Sequence, residues 1–296
     1  MLRKVELGNT GEKISVIGQG TWGISGFFKD HEYYEQWKDS LRMGIELGIT
    51  HIDTAEVYGW GKSEEIVGQV INEYNRDDLF ITSKLFPMHF RRKTMKKAAN
   101  KSLKRLDIDQ FDLYLIHWPN PLVSVEKQME VLEELVKEGK TRYIGVSNFS
   151  VKQFKEAQIY LKRERLVDNQ LKANIIEQKH IYHSLPYYQE ENITVTAYSP
   201  LGHKGLTDIE QSIKSKLEKI AEKHNATIQQ IAIAWLINHK NIITIPKAFQ
   251  KKHVKENAEA ASILLNKEEI RIFYEKMVNL NQRNELKDSA ETNYTK

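Results

Sequence analysis

The 296-residue chain contains no cysteine, which excludes disulfides, thiolate nucleophiles and cysteine-ligated metals. It has only six prolines, and no Pro- or Gly-rich stretch marks a linker between domains. No window approaches the run of about 20 apolar residues that crosses a membrane. The opening "MLRKVELGNTGEKISVIG" also lacks the apolar segment of a signal peptide. Charge of one sign is missing as well. The 44 Lys and Arg residues face 40 Asp and Glu, a formal net charge of +4. The one basic stretch, "RRKTMKKAANKSLKR" at 91–105, has helical spacing and no interleaved aromatics to stack bases. It reads as a solvated helix face, not a nucleic-acid patch. These absences point to a cytoplasmic protein that engages neither membrane nor nucleic acid. The oligomeric state is left open.

What is present is a regular alternation. Short apolar runs stand at 14–20, 50–55, 79–85, 111–118, 142–148, 166–171, 193–199 and 242–247. Most are continuously apolar, as parallel strands covered on both faces must be. Helical segments fill the gaps at 31–47, 63–74, 92–106, 125–138, 150–161, 185–191 and 209–239. In the first of these, Trp37, Leu41 and Ile45 share a face before Gly48 stops the helix. Eight β-then-α units without a break predict an α/β fold, a single (β/α)8 TIM barrel over residues 1–296. "VELGNTGEKISV" predicts an N-terminal β-hairpin before the barrel. The polar end of the chain, from about residue 281, reads as a frayed tail.

"VIGQGTWG" at 16–23 fits Gly-x-Gly-x-x-Gly through Gly18, Gly20 and Gly23. A dinucleotide-binding turn of that type needs a helix at the third glycine and an acidic residue about 20 positions on. Here "ISGFFKDHEYYEQ" follows, with another glycine before any helical period, and Asp53 comes too late. The spacing alone carries no Rossmann fold.

In a (β/α)8 barrel the chemistry lies at the carboxyl ends of the strands. Those ends carry Asp53, Lys84, His117, Ser147 and Asn148, with Tyr58 five residues beyond Asp53. A Lys and an Asp on adjacent strands should pair at the barrel mouth, because neither charge can be buried alone. A cation beside a phenol lowers the proton affinity that normally sets its pKa near ~10. Such a phenol can protonate a developing alkoxide, with His117 hydrogen-bonded to the same oxygen. The set contains no nucleophile with an adjacent base, no second carboxylate of the glycosidase kind and no His-Glu-x-x-His metal spacing. Proton delivery to a carbonyl oxygen is the chemistry that remains, and it requires a hydride from elsewhere.

The motifs "HIDTAEVYG", "ITSKL", "YLIHWP", "IGVSNF", "VDNQLKAN", "AYSPLG" and "IPK" occur in order from residue 18 to about 257. In this the sequence resembles the aldo-keto reductases. The resemblance implies an NADPH-dependent reductase of aldehydes or ketones that uses no metal, with Asp53, Tyr58, Lys84 and His117 as its catalytic tetrad. It places Ser147, Asn148 and Gln170 at the nicotinamide amide, Tyr198 against the ring, and Ser199, Leu201 and Gly202 at the pyrophosphate. Gly20, Thr21 and Trp22 fall beside nicotinamide and substrate, and Asp53 also belongs to the cofactor set. Glu256 and Asn257 match the adenine contacts.

There are departures from the family pattern. Lys172 stands where Glu is frequent, and Lys247, Ala248 and His253 replace a Lys-Ser pair followed by Arg. NADPH is expected over NADH, through Lys247 and His253. Trp22, Tyr58, Trp60, Phe86, His117 and Trp118 are expected to line an open pocket for a small carbonyl substrate. The alternative is a regulatory barrel that binds cofactor and acts on a protein partner.

Overall fold

The computed structural model describes residues 2–26, 29–202, 205–207 and 209–274. Strands β1 (Lys4–Glu6) and β2 (Lys13–Ser15) form an antiparallel hairpin in which Lys4 pairs with Ser15 and Glu6 with Lys13. The expected hairpin is therefore present. Its Leu7 and Ile14 are buried with Phe80, Val167 and Ile233, and the Gly8 amide donates to Thr194 Oγ1 at 2.9 Å. Phe80, Val167 and Thr194 lie at the starts of barrel strands, so the hairpin closes the amino-terminal end and the opposite end stays open.

The barrel is built from β3 (Gln19–Gly20), β4 (His51–Asp53), β5 (Phe80–Leu85), β6 (Phe111–Ile116), β7 (Thr141–Ser147), β8 (Leu166–Lys172), β9 (Thr194–Tyr198) and β10 (Ile242–Thr244), all parallel and in sequence order. Bridges from Ile17 to Thr244 and from Gly20 to Lys247 join the first strand to the last. At that seam a Cβ on Gly20 would lie 2.5 Å from the Ile245 carbonyl oxygen, so only glycine allows the closure. The strands are buried on both faces because helices cover the sheet outside, as their continuously apolar sequences require.

The outer layer includes α1 (His31–Glu46), α2 (Lys62–Ile71), α3 (Arg92–Leu106), α4 (Val125–Lys137) and α5 (Val151–Tyr160). It continues through α6 (Lys179–His183), α7 (Leu185–Glu190), α8 (Gln211–His224), α9 (Ile228–Ile237), α10 (Lys251–Ala260) and α11 (Lys267–Arg271).

Three details differ from the sequence reading. The run 14–20 is divided, with Lys13–Ser15 pairing in the hairpin and Gln19–Gly20 in the barrel. The segment 209–239 is two helices, because Asn225 turns left-handed at φ 48 and Thr227 caps a new helix through Gln230. Helices α6, α10 and α11 lie outside the helical spans read from sequence. The glycine pattern at Gly18, Gly20 and Gly23 does not open a helix, since α1 begins only at His31. The tail expected from about residue 281 lies outside the described residues.

Candidate active site

Asp53 ends β4, Lys84 sits at the end of β5, and His117 directly follows β6, so all three converge on the open end of the barrel. Lys84 Nζ donates to Asp53 Oδ1 at 2.5 Å and to the Thr54 carbonyl at 2.8 Å, and it lies 3.5 Å from Tyr58 Oη. Lys84 and Asp53 are fully buried. Gln170 Nε2 donates to the other Asp53 oxygen at 2.8 Å, so both carboxylate oxygens are held. Thr21 is buried behind them. Its hydroxyl donates to the Asp53 carbonyl and accepts from Ser63.

Tyr58 begins a tight turn, Tyr58–Gly61, with Gly59 at φ 58. A Cβ on Gly59 would stand 2.6 Å from the Ile24 carbonyl oxygen. The turn therefore packs directly on the loop after β3, and this fixes where the phenol projects. The Tyr58 ring meets the His117 ring edge-on, centroids 5.6 Å apart, and Lys84 Nζ lies 5.1 Å from the Tyr58 centroid.

Burial is the largest influence on each of these groups. It pushes the Tyr58 phenol above its ordinary value, and the Lys84 ammonium opposes but does not overcome that push. The sequence-based expectation of a net lowering is thus corrected: desolvation of the phenolate outweighs one nearby cation. Burial alone would lower Lys84, yet the Asp53 carboxylate and Tyr58 hold it above the usual lysine value. His117 is pushed down to about 3 by burial and by the Lys84 charge, so its imidazole is neutral at pH 7.

A cleft of about 900 Å³ opens above these residues. Of the residues expected at the site, it is lined by Gly20, Trp22, Asp53, Tyr58, Phe86, His117, Trp118, Ser147, Asn148, Gln170, Tyr198, Ser199, Leu201, Gly202 and Lys247. Asn148, at φ 63, organises one wall. Its amide donates to the His117 carbonyl at 3.1 Å and to Ser147 Oγ at 2.9 Å, and its oxygen accepts from Tyr198 Oη at 2.8 Å. Lys247 Nζ sits 5.0 Å from the Trp22 ring.

Other expected residues are not brought to the cleft. Trp60 is 74% exposed and does not line the cleft; its backbone is left-handed at φ 57. His253 and Glu256 lie on α10, where His253 Nδ1 is 2.9 Å from Glu256 Oε2, and Asn257 is buried on the same helix.

Some neighbours went unread in the sequence. Lys172, noted only for its charge, lines the cleft. Glu56 accepts from the Phe86 amide at 2.7 Å and from His89 at 3.0 Å, tying together the loops after β4 and β5. Its place inside "DTAEVYG" is the one signal that could have marked it. Asp168 lies fully buried on β8, accepting from Thr196 Oγ1 at 2.7 Å, while its Oδ2 has no hydrogen-bond partner among the described residues. Among the described residues no group of three His, Asp or Glu side chains is placed to hold a metal ion, and no helix is long and apolar enough to cross a membrane.

The fold and this cleft define a (β/α)8-barrel enzyme with its site at the carboxyl ends of the strands. The chain belongs to the aldo/keto reductase family, whose model matches residues 16–277. It is 33% identical over 257 residues to methylglyoxal reductase YeaE of Escherichia coli, covering 87% of this chain and 89% of that one. A thermostable aldo-keto reductase crystallised with the inhibitor epalrestat shares 43% identity at a TM-score of 0.87, covering 92% of this chain and 98% of its own. The aldo/keto reductase of Klebsiella pneumoniae, solved with NADP and acetate, shares 33% identity at a TM-score of 0.81, covering 92% and 94%.

Proposed function

We propose that the protein reduces small aldehydes and ketones to alcohols with NADPH, 2-oxoaldehydes such as methylglyoxal among them, and that Tyr58 delivers the proton. The observation that carries this reading is the Lys84 ammonium. It is fixed by Asp53 and stands 3.5 Å from the Tyr58 hydroxyl at the floor of the cleft. The E. coli relative named a methylglyoxal reductase and the Klebsiella structure with NADP support the substrate class and the cofactor.

The donor set fits a nicotinamide dinucleotide. Tyr198 offers an aromatic face, Ser147, Asn148 and Gln170 offer amide and hydroxyl groups for a carboxamide, and Lys247 offers a cation for phosphate. NADPH, when bound, supplies the hydride that the carbonyl carbon receives. The residues of this chain manage the oxygen. Tyr58 hydrogen-bonds to it and gives up its proton as negative charge develops. Lys84 stabilises the resulting phenolate, which burial would otherwise oppose. Asp53, Gln170 and the Thr54 carbonyl keep Lys84 charged and aimed. His117 remains neutral and donates a hydrogen bond without competing as a cation. Trp22, Phe86 and Trp118 form apolar walls that suit small, uncharged carbonyls.

The direct test is to follow reduced-nicotinamide absorbance with a panel of aldehydes, ketones and quinones. Consumption of NADPH with methylglyoxal is expected. Failure to oxidise NADPH with any carbonyl would contradict the reading.

A further inference from the structure

Among the described residues lining the cleft, the charged side chains are Asp53, Lys172 and Lys247, since His117 is neutral. Asp53 is cancelled by Lys84 directly behind it. The outer part of the cleft therefore presents two ammonium groups, Lys247 and Lys172, the second held by a carboxylate in the free protein, and such cations favour an anion once that carboxylate is displaced. Lys172 is the last residue of β8 and pairs in register with Tyr198, the last residue of β9. Immediately after Tyr198 comes the turn Ser199–Gly202, closed by the Gly202 amide on the Ser199 carbonyl at 2.9 Å. The buried Asn174 amide joins this turn to Lys172's partner. It donates to the Ser199 carbonyl at 3.1 Å and to Glu177 Oε2 at 3.2 Å. Glu177 itself pairs with Lys172 Nζ at 2.8 Å.

We infer that Lys172 is a cofactor-binding residue that contacts the diphosphate of NADPH, and that Glu177 occupies its ammonium until the diphosphate arrives. The inference rests on the reading of the cleft as the NADPH site. A nicotinamide against Tyr198 has its diphosphate one ribose away, and the wall leading outward from Tyr198 is the turn 199–202 beside Lys172. A carboxylate and a phosphate oxygen are alike as acceptors for an ammonium, so exchanging one for the other keeps Lys172 satisfied. The pair being given up is 31% exposed on lysine and 47% on glutamate, a setting in which ion pairs hold little energy. The diphosphate is common to NADPH and NADH. Lys172 should therefore raise affinity for both, whereas a contact to the 2′-phosphate would separate them.

The test is cofactor dissociation constants, read by quenching of tryptophan fluorescence, for wild type, Lys172→Met, Lys172→Arg and Glu177→Gln. Lys172→Met should weaken NADPH and NADH by the same factor, about tenfold, the lower end for a hydrogen bond to a charged group. Lys172→Arg should restore most of that loss. Glu177→Gln should tighten both cofactors, because the internal competitor is gone. Unchanged constants in Lys172→Met would overturn the inference. So would weakening of NADPH alone, or unchanged cofactor binding with a raised KM for a carboxylate-bearing substrate. Wild type that binds neither nucleotide would instead overturn the reading of the cleft as a dinucleotide site.

Discussion

Lys84 Nζ lies 2.5 Å from Asp53 Oδ1, and both side chains are buried. The nearby Tyr58 phenol, 3.5 Å from the same ammonium, faces the cleft. Charge is thus held where burial weakens its screening by water and is presented to one hydroxyl.

Lys84→Met should abolish turnover although Lys84 does not line the cleft, because the phenolate loses its stabilising cation. It should also destabilise the fold by about 3–5 kcal/mol, since Asp53 is left buried without its counter-ion. Asp53→Asn should be milder on both counts, keeping the side chain's shape and its acceptor oxygen. Rate–pH profiles and thermal melts of the two variants check this. Wild-type rates across the pH range in Lys84→Met would remove the ammonium from the mechanism.

Asp168 offers a separate test of barrel electrostatics. Burial pushes its carboxyl up to about 8, against only partial relief from Thr196. Its folded-state pKa is raised, so the folded protein holds a proton that the unfolded chain releases near pH ~4. Stability should therefore fall as pH rises between those values, by at most about 1.4 kcal/mol per pH unit. Asp168→Asn mimics the protonated form and should raise the melting temperature, with a gain that grows from pH 5 to pH 8. A gain independent of pH would mean that Asp168 is not held neutral.

The histidines act in the opposite direction. His117 is lowered to about 3 and His51 to about 4, both chiefly by burial. An unfolded histidine takes up its proton near pH ~6.5 while the folded ones do not. Their contribution is present above that pH and is lost progressively as pH falls towards 3–4. His117→Asn should make melting temperature less sensitive to acid between pH 6.5 and 4. An identical slope in wild type and variant would contradict a neutral His117.

Lys247, 5.0 Å from the Trp22 ring, offers its cation to a cofactor phosphate, and the expected preference for NADPH assigns it to the 2′-phosphate. Lys247→Ala should weaken NADPH about 10–150-fold, the range of a hydrogen bond to a charged partner. NADH should be nearly untouched. Equal losses for both cofactors would place Lys247 elsewhere, with a role in structure or at the diphosphate.

The strand-end residues were legible because a parallel barrel puts every such end on one rim, so Asp53, Lys84 and His117 could be gathered without coordinates. The hairpin was legible from Asn9, Thr10 and Gly11 between alternating runs. What escaped was set by tertiary contact. The upward push on Tyr58 comes from burial, which no spacing encodes. Trp60 stands outside the cleft lining, on a turn where Gly59 and Trp60 both take positive φ, which the sequence does not announce. The break at Asn225–Thr227 did have a local signal, a threonine cap with Gln230 three residues on, but the helical period on either side masked it. The partnership of Lys172 with Glu177 is made by a local turn in which the Ile176 and Glu177 amides donate to Asn174 Oδ1, and it could not be read from composition.

The proton donor is tested most directly by Tyr58→Phe, which removes one oxygen and leaves the ring beside His117. Steady-state reduction of methylglyoxal and NADPH affinity should be measured on the same preparation. If Tyr58 delivers the proton, turnover falls at least ~100-fold, the lower end for general acid catalysis, while the NADPH dissociation constant is unchanged. Wild-type turnover in Tyr58→Phe would contradict that assignment and return the search for the donor to His117.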